Sequence, residues 1–125
     1  MLVEFRIRNF ALVDDIVISF GPGLNILTGE TGSGKSVIVT ALSVLLGAKP
    51  SGQTVRAGFE HARLDALFHT NEREITRLLQ EAGIEPEEDG SLALCREFST
   101  ARPATARINN NAAPLSLLRN IAERL

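Results

Sequence analysis

Residues 26–39 read ILTGETGSGKSVIV, and Gly29, Glu30, Thr31, Gly32, Ser33, Gly34, Lys35 and Ser36 fit G-x-x-x-x-G-K-[ST] at every fixed position. The chemistry this spacing suits is the grip of a polyphosphate, which needs several amide N–H groups converging on one point. Glycines let the backbone curl around the anion with no Cβ in the way. A helix starting near Lys35 turns its free N–H groups and the positive end of its dipole to the same place. The Lys35 ammonium can reach the β- and γ-phosphates and neutralise their charge, and the Ser36 hydroxyl can ligate Mg²⁺. Val37, next on the helix, completes the stretch expected to hold the polyphosphate. Glu30 is acidic inside a loop shaped for anions, so it is expected to face solvent or cap a neighbouring amide. At ordinary residue frequencies such a match arises by chance roughly once in a few hundred chains of this length.

The flanking elements are those the loop requires. LNILT before it is a short apolar run, suited to a strand buried on both faces. KSVIVTALSVLLG after it reads as a buried helix, with a stripe of Ile38, Ala41, Leu42, Leu45 and Leu46 and a stop at Gly47. Upstream, LVEFRIRNF alternates Val3, Phe5 and Ile7 with Glu4, Arg6 and Arg8, the pattern of a half-buried strand. DDIVISF, closed by GPG, is a second strand expected to pair with it. Downstream, TVRAG is a short extended piece, and ARLDALFHT, SLALCREFS and ARINNN read as strands. NEREITRLLQEAG is a helix with Asn71 as cap, Glu74 three residues on and Gly83 as its end. PLSLLRNIAERL opens on proline and is expected to stay helical to the last residue.

The chain has 125 residues, 44% hydrophobic and 22% charged, which suits one modest domain. A net charge of −2 advertises no bulk field for nucleic acid or membrane. Charge is uneven, however: residues 72–90 hold seven acids against two arginines, and residues 91–125 hold five arginines against two glutamates. Arg96, Arg102 and Arg107 could meet a DNA backbone, although few aromatics are present for base stacking. Cys95 is the single cysteine, in an apolar strand pattern, which fits a reducing interior. His61 and His69 end one strand with no metal-ligand spacing around them. No signal sequence or membrane span is expected.

The segments IRNFALVDD, GLNILTGETGSGKS and ALSVLLG together resemble the opening of the RecN family of bacterial DNA-repair ATPases, which are related to SMC proteins. VRAG and ARINNNAAPLSLLRNIAERL add to the likeness. SMC-type and RecF-like ATPases share the I-x-N-F strand and the phosphate loop, and more often carry asparagine where Thr31 stands. The resemblance implies an α/β fold: a P-loop NTPase, the N-terminal lobe of an ABC-type ATPase head, with a mixed core sheet and an antiparallel β side sheet. It implies ATP and Mg²⁺ as ligands, a C-terminal lobe of the same protein as one partner, and a second head joining as a homodimer on ATP binding. It also implies DNA as a partner of the complete protein and a cytoplasmic, nucleoid-associated setting.

The same resemblance suggests contacts from Arg8, Asn9 and Phe10 near the base and ribose, with Phe10 better suited to the core than to an adenine platform. Arg56 would swing toward the phosphates. No glutamine follows Gln80, itself a poor glutamine-loop candidate on an amphipathic helix, and the chain has no Asp-Glu ending an apolar strand and no serine-glycine-glycine signature. Residues 1–125 are therefore expected to be one incomplete lobe that hydrolyses ATP negligibly by itself. The alternative reading is a stand-alone P-loop or kinase-like module acting on a small molecule. That reading needs an acidic hydroxyl-orienting residue, and the solvated EPEEDG turn is a poor source of one.

Overall fold

The structure is a computed structural model that describes residues 1–22, 35–50 and 52–125. The expected strand LNILT and the glycine loop, residues 24–34, lie outside the described residues. Six strands form one sheet in the order β2-β1-β3-β4-β5-β6. They are β1 (Leu2–Phe10), β2 (Val13–Ser19), β3 (His61–His69), β4 (Ser91–Ser99), β5 (Thr105–Ile108) and β6 (Asn111–Ala112). Every pairing among them is antiparallel. This is the side sheet expected from the sequence, with a two-residue strand, β6, that was not expected.

Alternation sorts the sheet into two faces. Phe5 and Ile7 of β1, Leu64, Ala66 and Phe68 of β3, Leu92, Leu94 and Phe98 of β4, and Ile108 of β5 are buried together. Three helices lie on this face: α1 (Lys35–Leu45), α2 (Arg73–Glu81) and α3 (Leu115–Ala122). α1 crosses β1, β3 and β4, and α3 packs on β5 and against α2. The opposite face carries a charge ladder in which Asp65 takes Arg63 at 2.8 Å and Arg8 at 3.3 Å, while Arg63 also reaches Glu97 at 3.0 Å.

Several local expectations are corrected. On α1 the fully buried positions are Ala41, Val44 and Leu45, while Ile38, Leu42 and Leu46 are half-buried, so the face is turned toward Val44. Asn71 does not cap α2. The N-cap is Glu72, with no side-chain cap bond, and its own N–H donates to Thr70 Oγ1 at 3.1 Å. α3 ends at Ala122, short of the last residue. β2 lies at one edge of the sheet, with Ile16 and Val17 exposed. Gly47 and Gly83 end α1 and α2 as expected, at φ of +109° and +76°.

Candidate nucleotide-binding site

α1 starts at Lys35 with no acidic residue in its first turn, and Ser36 is exposed beside it. The first N–H groups of any α-helix lack partners within it, so this end offers donors and a partial positive charge to an anion. Gly29, Glu30, Thr31, Gly32, Ser33 and Gly34 lie outside the described residues, as does the Lys35 side chain. What the described residues supply is the wall beside the helix start.

That wall is a cleft of about 130 Å³ lined by Phe10, Ala11, Ser36, Val37, Thr40, Gln53 and Thr54. Two backbone hydrogen bonds build it. The Ala11 N–H donates to the Thr54 carbonyl at 2.8 Å, and the Arg56 N–H to the Asn9 carbonyl at 2.8 Å. A single bridge, Phe10 to Val55, completes the pairing, so the TVRAG piece lies along the end of β1. To make the turn into β2 the chain places Asn9 at φ +50° and Ala11 at φ +52°. The left-handed region suits asparagine but is strained for alanine.

Phe10 is 4% exposed, and its ring lies 6.3 Å from that of Phe98. It backs the cleft from the core, which agrees with its expected core role. Arg56 lies at an adjoining cleft of about 420 Å³ shared with Ala11, Leu12, Gln53 and Ala57. Its guanidinium is 3.2 Å from Asp14 and 5.5 Å from the Phe59 ring centre. Arg8 and Asn9 instead line a separate pocket with His61, Ala62, Arg63, Glu97 and Arg102, where Arg8 is bound to Asp65.

The structure thus brings Phe10, Ser36 and Val37 together, puts Arg56 next door, and leaves the Arg8 side chain on the charged face. Gln53 and Thr54 were not expected at the site. Their place comes from backbone pairing, which leaves no mark on side-chain type. An exposed Ser36 on a helix start free of acids suits a Mg²⁺-bound phosphate, so the residues present fit the group their motif implies.

Of the three arginines considered for DNA, Arg96 is withdrawn from that role. It is 5% exposed on the core face, where its Nη1 donates to the Val44 carbonyl at 2.9 Å. Arg102 and Arg107 are exposed. Cys95 is buried on β4, and burial with the nearby Asp65 charge pushes its thiol up to about 12. His61 and His69 end β3 as expected, and no cluster of metal-binding side chains occurs among the described residues. Among those residues no helix is long and apolar enough to cross a membrane.

The chain has relatives among known proteins. The chain is 46% identical over 99 residues to the DNA repair protein RecN of Synechocystis sp., covering 79% of this chain and 17% of that protein. It is 38% identical over 126 residues to RecN of Halalkalibacterium halodurans, covering 100% of this chain and 22% of the relative. The chain therefore spans about a fifth of the length of the curated relatives it matches.

Among solved structures, one SMC ATPase chain comes from work on ATP-driven dimerization and DNA-stimulated activation. It superposes with a TM-score of 0.75 at 20% identity, covering 98% of this chain and 77% of that one. The recombination mediator RecF bound to ATP gives 0.66 at 18% identity, covering 90% and 27%. The fold is that of the N-terminal lobe of an ABC-type ATPase head, as expected. The sequence model of the AAA domain matches residues 4–111, and the chain belongs to that family.

Proposed function

We propose that this chain is the ATP-binding N-terminal part of a RecN-like ATPase acting in DNA double-strand-break repair and recombination. The observation that carries the reading is positional. The G-x-x-x-x-G-K-[ST] stretch runs directly into a helix that begins at Lys35, beside a cleft walled by Phe10, Ala11 and Thr54. Relatives named as DNA repair proteins and fold neighbours among SMC and RecF ATPases support it over a stand-alone kinase-like module.

In this reading ATP with Mg²⁺ supplies the phosphoryl group and most of the local charge. The amides of Gly29 to Gly34 and the start of α1 hold the phosphates, Lys35 neutralises charge, and Ser36 gives the metal a hydroxyl ligand. Phe10 supports the wall from below, and Arg56 waits one cleft away, held by Asp14 and Phe59. Phosphoryl transfer also needs an oriented water and charge stabilisation in the transition state, and no Asp-Glu ends an apolar strand of this sequence to serve as general base. A C-terminal lobe of the same protein and a second head are the proposed sources, with DNA as partner of the assembly. A cytoplasmic setting goes with this reading.

Titrating the intact protein with Mg²⁺–ATP tests it. Binding is expected and is lost in Lys35→Ala. Equal affinity in the two proteins would overturn the reading.

A further inference from the structure

We propose that Arg96 on β4 and Arg119 on α3 are positioning residues for the phosphate site: they clamp the carboxyl end of α1 and so fix its amino end against the Phe10–Ala11 wall. The inference rests on the phosphate reading of α1 and adds residues at the far end of the helix.

α1 carries no basic residue in its own last turn. Two guanidinium groups from other elements serve that end instead. Arg96 Nη1 donates to the Val44 carbonyl at 2.9 Å, and Arg119 Nε donates to the Gly47 carbonyl at 2.9 Å. Both reach the carboxyl end of the helix, where the dipole is negative, and the Val44 carbonyl also accepts the Gly47 N–H at 3.1 Å.

Arg96 is not there for an ion pair. It is 5% exposed, no carboxylate partners it among the described residues, and its Nε has no hydrogen-bond partner. An apolar side chain of similar volume would pack this position without desolvating a charge. What the charged group adds is a fixed, directional bond to the helix end together with its contact over the Phe98 ring.

β4 also reaches, through Phe10 of β1, the wall beside the other end of α1. Arg96 lies over the Phe98 ring at 4.8 Å, and Phe98 packs at 6.3 Å against Phe10, which lines the cleft with Ser36. Ser36 and Val44 are roughly 12 Å apart along a rigid helix, so a tilt released at one end is felt at the other. Gly47 completes the fit. A Cβ there would collide with Arg119 Cγ, so the clamp closes over a residue without a side chain.

The test is the Mg²⁺–ATP dissociation constant of the intact protein, measured well below its unfolding temperature. Arg96→Met and the surface variant Arg119→Ala are each expected to weaken binding roughly fivefold, and Arg96→Lys to recover part of that loss. Ile108→Val, a core change on β5, lowers the melting temperature but leaves affinity within about twofold. Binding that depends on Lys35 yet ignores both arginines would overturn the clamp alone. Equal weakening by Ile108→Val at matched stability would reduce it to ordinary stabilisation. Failure of the unsubstituted protein to bind would overturn the phosphate reading and the clamp with it.

Discussion

The N–H of Ala11 donates to the carbonyl of Thr54 at 2.8 Å, tying the β1–β2 turn to the segment that follows α1. Both sides of the cleft beside Ser36 depend on this bond, and Ala11 makes it from φ +52°. Ala11→Gly relieves that strain at the expense of a floppier unfolded chain, so stability should stay within about 1 kcal/mol of the parent. Ala11→Val puts a β-branched side chain in the left-handed region and should lose about 1–3 kcal/mol. Urea unfolding of the two variants checks the contrast.

Phe98 joins the site to the core. It is buried against Phe10 and beneath the Arg96 guanidinium. Phe98→Ala should destabilise the protein by about 3–5 kcal/mol through the cavity it leaves. Phe98→Leu keeps most of the volume and should lose much less. Denaturant midpoints for the pair distinguish packing from a purely aromatic contribution.

Gly47→Ala meets two obstacles, φ +109° and the Arg119 side chain. A loss of about 1–3 kcal/mol is expected from strain and displacement of that arginine. Combining it with Arg119→Ala removes the clash but not the strain, so part of the loss should return. A double-mutant cycle by thermal unfolding reads the coupling.

Two titrating groups on the charged face give stability opposite slopes at the two ends of the pH scale. Partial burial works to raise the Asp65 carboxyl, but hydrogen bonds and charge from Arg63, with Cys95 and Arg8 assisting, hold it below its ordinary value. Its contribution is therefore present above about pH 4 and fades as pH falls through the lowered folded value. The stability gap between the parent and Asp65→Asn should narrow on acidification through that range. Cys95 behaves in reverse. Its thiol, pushed up to about 12 by burial and by the Asp65 charge, stays neutral when folded while the unfolded chain ionises near its usual value. That contribution is whole below about pH 9 and fades as pH rises toward the folded value. The same thiol should resist a thiol reagent at pH 8 until the protein unfolds.

How much of this was visible in the sequence differs from element to element. β3 and β4 were legible almost to the residue, because both alternate apolar and polar positions between clear turns. β6 was not, since two residues carry no period. The expected stripe on α1 held apart from Val44, which it missed because seven of the eleven residues of that helix are apolar and periodicity alone left that position out. The Asn71 cap failed because Asn71 packs at the Gly90 turn, where its Oδ1 would stand 3.0 Å from an added Cβ. At the site, Ser36 was evident from a motif. Gln53, Thr54 and Ala11 were not, because backbone bonds place them. Arg96 did leave a signal: Leu92, Leu94, Arg96 and Phe98 alternate on one face, which places a guanidinium among core side chains.

The central claim is that a nucleotide's phosphates lie in the loop at the start of α1. A structure of the intact protein with Mg²⁺ and a non-hydrolysable ATP analogue tests it most directly. The phosphates should be found against the amides of residues 29–36, with the metal at Ser36 Oγ and Ala11 and Thr54 along one side. Nucleotide bound at another cleft with that loop empty would contradict the account.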